Sequence, residues 1–219
     1  MKRLLSAVLC ALLLLASCTG ERVRIGDTDV RIIRDALDLG GRHLTGADIE
    51  NLRYLTGMKS LNLRLNKLED ISVLAGLTEL THLSLYGNRL EDISPLAGLT
   101  KMKELGLDSN LIKDISPLTG LTGLTHLYLF ENRIEDISAL AGLTGLRVLV
   151  LEGNEIGDIS VLAGLTELTH LGLENNLIGD ISVLERLPKL RGVSIGGNPI
   201  NAEQIERLRA ALPDCEIIE

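Results

Sequence analysis

Three of the histidines in this 219-residue chain, His82, His126 and His170, recur every 44 residues. Imidazole is a good zinc ligand, but a zinc site needs every ligand about 2 Å from one ion. Side chains two turns apart, on strands spaced about 4.8 Å, stand roughly 10 Å from one another. The shared wording Thr-His-Leu instead points to duplication of a two-turn unit. A second polar column runs through Asp70, Asp92, Asp114, Asp136, Asp158 and Asp180, each followed by Ile-Ser. One carboxylate per turn among aliphatic neighbours falls short of the roughly six to eight oxygens that calcium takes. Asp or Ser is expected to cap a short helical turn, and Pro95 and Pro117 fit the first helical position, where a missing N–H is tolerated. Cys215 has no histidine near it in sequence and reads as a small buried apolar group. No glycine-rich phosphate loop follows a strand. The expectation is therefore no catalytic residue, no metal site and no cofactor: the chain is not an enzyme.

The elements that carry these columns follow from a strict repeat. Asn66, Asn88, Asn110, Asn132, Asn154, Asn176 and Asn198 fall at intervals of 22 residues, and Leu or Ile follows two positions after each. Aliphatic columns run through Ile71, Leu74, Leu77, Leu80, Leu83 and Leu85 and their equivalents one period on. A 22-residue turn has no interior of its own, so its aliphatic side chains are shielded only when neighbouring turns stack. On the Leu-x-Leu strand Leu83 and Leu85 point inward, while His82, Ser84 and Tyr86 face the concave side. The asparagine amide both donates and accepts, so at the exit from each strand it can satisfy otherwise buried backbone groups. All seven asparagines are therefore structural. The unit beginning at Leu121, Leu-Thr-Gly-Leu-Thr-His-Leu-Tyr-Leu-Phe-Glu-Asn-Arg-Ile-Glu-Asp-Ile-Ser-Ala-Leu-Ala-Gly, resembles the repeats of bacterial internalins, over about residues 44–200. That resemblance implies an α/β leucine-rich-repeat solenoid: a short curved rod with a parallel concave β-sheet, convex 3-10 or short helical turns, and helical caps at both ends.

The expected organisation is a signal over residues 1–17, a tether over 18–28, an N-terminal cap with a degenerate first repeat over 29–57, regular repeats over 58–200 and a C-terminal cap over 201–219. Val30, Ile33 and Leu37 form a helical stripe. Thr45-Gly-Ala-Asp48 forms a capping box leading into Ile49, Leu52 and Leu55. At the other end Asn201-Ala-Glu-Gln204 opens a helix whose Ile205, Leu208 and Leu212 face inward.

Lys2, Arg3 and the apolar stretch Leu4 to Ala16, broken only by Ser6, have the layout of an export signal and are too short to span a bilayer comfortably. The stretch ends in Leu15-Ala16-Ser17-Cys18, where the chain resembles a bacterial lipoprotein cut before the cysteine and acylated on Cys18. Cys10 then leaves with the signal and Cys215 stands alone, so no intrachain disulfide is expected. The implied location is the bacterial cell envelope, lipid-anchored and extracytoplasmic, and the outer membrane if there is one, because Thr19 replaces the Asp of inner-membrane retention signals.

Function must come from what the frame does not use. The composition is 45 % hydrophobic but only 2 % aromatic, so the core is aliphatic and the aromatics are free for other work. Tyr86, Tyr128 and Phe130 fall at concave positions, with His126, Val148 and Val150 beside the last two. Glu104, Asp108, Glu131, Glu152 and Glu174 read as an acidic surround. An aromatic centre within a polar rim is the composition of a protein-binding hot spot. A net charge of -8 excludes a nucleic-acid backbone as partner and favours a basic protein. The expected function is recognition of another protein by a monomer through its concave face. The alternatives are an envelope structural component binding by its convex side or ends, and a glycan or peptidoglycan binder using Tyr86 and Tyr128 against sugar faces.

Overall fold

The computed structural model describes residues 19–26, 28–33 and 35–219. The segment read as an export signal and the Cys18 acylation site lie outside the described residues. Each repeat contributes one three-residue strand, because the Leu-x-Leu stretch is all that alternates before the chain turns away. The strands are β3 (Ala36–Asp38), β4 (Ser60–Asn62), β5 (His82–Ser84), β6 (Glu104–Gly106), β7 (His126–Tyr128), β8 (Val148–Val150), β9 (His170–Gly172), β10 (Gly192–Ser194) and β11 (Glu216–Ile218). They pair in sequence order and in parallel, with the leucines aligned: Leu61 opposite Leu83, then Leu105, Leu127, Leu149, Leu171 and Val193. The return path of each turn is a 3-10 helix, for example Ser116–Leu118 or Ser138–Gly142. The result is a curved solenoid, as expected.

Its interior is one aliphatic column. Leu83, Leu85, Leu127, Leu129, Ile134, Ile137 and Leu140 are all buried and belong to one continuous cluster with their counterparts in other turns. The asparagines line one side of it. Asn132 donates to the carbonyls of Leu107 and Leu129, both at 3.1 Å, and accepts the N–H of Ile112 at 3.1 Å. It thereby ties together its own coil and the one before. The same pattern repeats from Asn88 to Asn198, and Asn66 accepts from both Arg42 and Leu44. One feature of this corner left only a faint trace in the residue pattern. The position just before each asparagine is left-handed: Leu65, Gly87, Ser109, Glu131, Gly153, Asn175 and Gly197 all have φ between 50° and 70°. Gly87 and Gly153 adopt this without a Cβ clash, whereas Leu65 does so against its steric preference.

The aspartate column works one step earlier than a helix cap. Asp114 Oδ1 accepts the N–H of Ser116 at 2.8 Å and Oδ2 accepts the Ser116 hydroxyl at 2.9 Å, while the residue at the formal cap, Ile115, offers no side-chain bond. This is an Asx turn that aims the chain into the 3-10 segment. The same N–H bond forms at Asp70, Asp92, Asp136, Asp158 and Asp180. Donation from the serine N–H holds the carboxyls of Asp70, Asp114, Asp158 and Asp180 below the ordinary aspartate range.

The two ends differ from each other. The C-terminal helix α1 (Ala202–Ala211) has the expected capping box between Asn201 and Gln204, buries Leu208, and packs Ile205 and Leu212 against the core. The N-terminal cap is not helical. Residues read as a tether and a helical stripe form β1 (Thr19–Ile25) and β2 (Thr28–Ile33), antiparallel to each other, and β2 pairs antiparallel with β3. Val23 and Ile25, then Val30 and Ile32, are buried in alternation, and Ile33, placed inward by the helical reading, is 59 % exposed. Period-two alternation of β-branched residues competes here with the three-four spacing of a short stripe, and pairing to the open edge of β3 decides for the strand. Leu37 then lies opposite Leu61, so the opening coil begins at β3 and not near residue 44. Only half of the Thr45–Asp48 box forms: Asp48 Oδ2 accepts the Thr45 N–H and hydroxyl, both at 2.8 Å, but the Asp48 N–H goes to the Thr45 carbonyl, and the 3-10 turn Glu50–Tyr54 follows Ile49 with no side-chain cap.

Candidate protein-binding face

Three rows of side chains cross the concave face from strand to strand. The first is His82, Glu104, His126, Val148, His170 and Gly192, and the second is Ser84, Gly106, Tyr128, Val150, Gly172 and Ser194. The third lies two residues beyond the second and contains Tyr86, Asp108, Phe130, Glu152 and Glu174. The sheet thus brings Tyr128 beside Val150 and His126 beside Val148 and Glu104. Phe130 and Tyr86 are 37 % and 39 % exposed, enough to offer ring faces to a partner, and Tyr128 is half-buried between its neighbours. Tyr86 stands apart from the other two, on β5's coil, with the coil of Gly106 and Asp108 between. A shallow depression of about 390 Å³ over β4 to β6 has Arg64, His82, Glu104, Asp108 and Tyr128 in its lining.

The histidine rings are held in one orientation. Thr125 Oγ1 donates its single proton to the Lys103 carbonyl at 3.0 Å, so the 2.9 Å contact with His126 requires that Nδ1–H donate to the threonine oxygen. Nε2 is left as the acceptor of the neutral ring. Thr81 with His82 and Thr169 with His170 repeat this arrangement. Among the described residues no group of three or more His, Cys, Asp or Glu could hold a metal ion.

The acidic residues were expected as a rim, and two of them are part of the floor. Asp108 folds toward β7, where Oδ1 accepts the N–H of Phe130 at 2.9 Å. Burial, reinforced by the charge of Glu152, pushes its carboxyl above the ordinary aspartate range. Glu152 leans the other way, across β9: its carboxylate lies where a Cβ on Gly172 would stand, and Oε1 accepts the Ser194 hydroxyl at 3.3 Å. Oε2 is buried with no hydrogen-bond partner. Burial, with Glu104 and Asp108 nearby, likewise raises the Tyr128 hydroxyl above its ordinary value. Glu104 remains exposed, Glu174 is partly covered, and Glu131 accepts the Ser109 hydroxyl at 2.9 Å. The roles of Gly106, Gly172 and Ser194 were not assigned from sequence. Their only signal was glycine at two concave positions, one coil before and two coils after the aromatic coil.

Comparison with known proteins places this geometry in a family. The structure is similar to that of internalin C2 from Listeria monocytogenes, with 34 % identity over 97 % of this chain and 91 % of that one, and a TM-score of 0.80. The chain belongs to the internalin-type leucine-rich-repeat family. Models described as leucine-rich repeat match residues 35–90, 78–120 and 122–164. The leucine-rich-repeat ectodomain of the plant receptor kinase GASSHO1/SCHENGEN3 from Arabidopsis thaliana, solved with Casparian strip integrity factor 2, shares the fold at 23 % identity, with a TM-score of 0.72 over 92 % of this chain and 26 % of that one. A leucine-rich-repeat protein of Leptospira interrogans does so at 23 % identity and 0.52, over 78 % and 57 %. No curated protein matches the chain. Solenoids of this internalin type generally serve protein recognition through the concave face and are not catalysts.

Proposed function

We propose that this internalin-type protein is a lipid-anchored, extracytoplasmic monomer that captures another protein of basic character on the centre of its concave face. The observation that carries the reading is the placing of Tyr128 and Phe130 on the sheet surface of a molecule whose interior is otherwise aliphatic. Such rings are not needed for packing, and they offer large contact area with few rotamers to order. Tyr86, His126, Val148 and Val150 extend the contact, and Glu104, Asp108, Glu152 and Glu174 draw in positive charge. The stacked coils fix the strands beforehand, which limits the entropy lost on docking. Lys2, Arg3, the apolar run and Leu15-Ala16-Ser17-Cys18 support export and acylation of Cys18; mass spectrometry of the mature protein checks that anchor directly.

The test of recognition is crosslinking in the native envelope with the parent protein and with Tyr128→Ala/Phe130→Ala. The captured partner should bind the variant at least about tenfold more weakly, the scale of a hot-spot pair, while the melting temperature barely moves. Equal affinity for both would remove the concave reading.

A further inference from the structure

The N-terminal hairpin closes one end of the rod, and its outer face differs in character from the rest of the chain. β1 lies against the 3-10 turn Glu50–Tyr54, on the return side of the first coil. Asn51 Nδ2 donates to the Arg24 carbonyl at 3.3 Å, and the Gly26 N–H donates to the Asp48 carbonyl at 3.2 Å. The hairpin therefore folds from β3 across the end of the aliphatic column, with Val23, Ile25, Val30 and Ile32 turned onto the core. Its other face points out along the rod axis and carries exposed Arg22, Arg24, Arg31 and Ile33. Arg22 stands directly opposite Arg31, a like-charge pair that weakens a sheet. Asp29, opposite Arg24, leaves the face basic in a chain of net charge -8. Among the described residues none of these three arginines is in an ion pair. Tyr54 adds to the rim. The next five coils have Gly76, Gly98, Gly120, Gly142 and Gly164 at its position, where a Cβ on Gly120 or Gly142 would meet a carbonyl of the coil before at 3.8 Å. The first coil has no coil before it, so this ring projects toward the same end and is 38 % exposed.

We infer that this end face is seated on an anionic phospholipid surface. The inference rests on the acylation of Cys18 proposed above, and the length of chain between anchor and face names the occupant. β1 begins at the next residue, with Thr19 paired to Ile33. One residue spans at most about 3.6 Å, too little for a protein or a nucleic acid to lie between bilayer and face. What the arginines meet is the headgroup layer. A phosphate between Arg22 and Arg31 removes their repulsion and takes up guanidinium donors in pairs. Ile33 lies beside the anchor, at the boundary with the acyl chains, and Tyr54 suits the headgroup level. Lipid and basic patch then act as two signals on one surface. The same surface repels the acidic body of the rod, so the rod stands on this end and its concave rows face sideways, open to a partner.

The experiment reconstitutes the acylated protein in phosphatidylcholine vesicles, with and without phosphatidylglycerol, and follows amide hydrogen exchange by mass spectrometry. Phosphatidylglycerol should slow exchange in β1 and β2 about fivefold or more, the scale of one arginine at an anionic surface, and leave β10 and β11 unchanged. Arg22→Gln/Arg31→Gln should abolish the slowing, while its melting temperature in detergent equals or exceeds the parent's because a repulsive pair is gone. Equal exchange in the two lipids, or a variant that responds as the parent does, would overturn the anionic seat and leave the anchor and the concave reading standing. Slowing that extends to β10 and β11 would mean a rod lying flat, and would overturn it too. An intact mass without acyl groups on Cys18 would remove the anchor and the seat together.

Discussion

The asparagine corner and the centre of the concave face are both polar, partly or wholly covered, and built on adjacent coils, yet they are satisfied in opposite ways. Asn132 meets backbone partners on both sides, so its burial is balanced inside the chain. Glu152, a turn further on, keeps one buried oxygen without any donor, and Asp108 is pushed toward its protonated form. A polar group that serves the frame is completed by the frame. The Glu152 oxygen is left incomplete at the floor of the concave face, pressed against Gly172 and shut off from solvent.

That contrast makes separable predictions. The largest effect belongs to Asn132→Ala, which leaves the buried Ile112 N–H without its acceptor, at about 1–3 kcal/mol, while the Leu107 and Leu129 carbonyls keep a second donor in Asn110 and Asn154. A fall of about 1–3 kcal/mol in unfolding free energy, read by urea titration, is expected, and binding should fail only in proportion to unfolding. A change under about 1 kcal/mol would mean that water replaces the amide.

A smaller effect of opposite sign is expected for Asp108→Asn. Its folded pKa lies above the unfolded one, so the native state tolerates the charge poorly: the associated stability is present below about pH 4 and is lost as pH rises through the folded value. The variant should therefore melt higher than the parent at neutral pH and equal it in acid, while binding the partner less well. The combination of gained stability and lost binding is what distinguishes a recognition group from a structural one. A lower melting point at neutral pH would assign Asp108 to the frame.

The smallest change is expected at the Asx turns. Asp114 has its pKa lowered by the Ser116 N–H, so its contribution is present above the unfolded aspartate value and is lost as pH falls through the folded one. Asp114→Ala should lower the melting temperature slightly at neutral pH and not at all in strong acid. Equal loss at both pH values would show that the carboxylate charge plays no part.

Much of this was legible in the residues because it recurs. The aliphatic columns, the asparagine corner and the aspartates state the same local requirement in turn after turn, and the inward or outward sense of Leu83, Leu85, Tyr128 and Phe130 follows from strand alternation alone. The box at Asn201 and Gln204 was also readable, since capping depends on residues three apart. Val30 to Leu37 fit two periods at once, and only the unpaired edge of β3 chose between them.

The amino-acid sequence by itself determined the coil, its stacking, the aliphatic interior and the coil that displays the aromatics, because each depends on contacts within a turn or between neighbouring turns of fixed length. The tertiary structure alone decided the strand-built N-terminal cap, the turn of Asp108 onto the Phe130 N–H and the folding of Glu152 into the gap at Gly172. The reason is distance: Glu152 meets Ser194 across 42 residues. Such a meeting happens once, so no repeating pattern announces it.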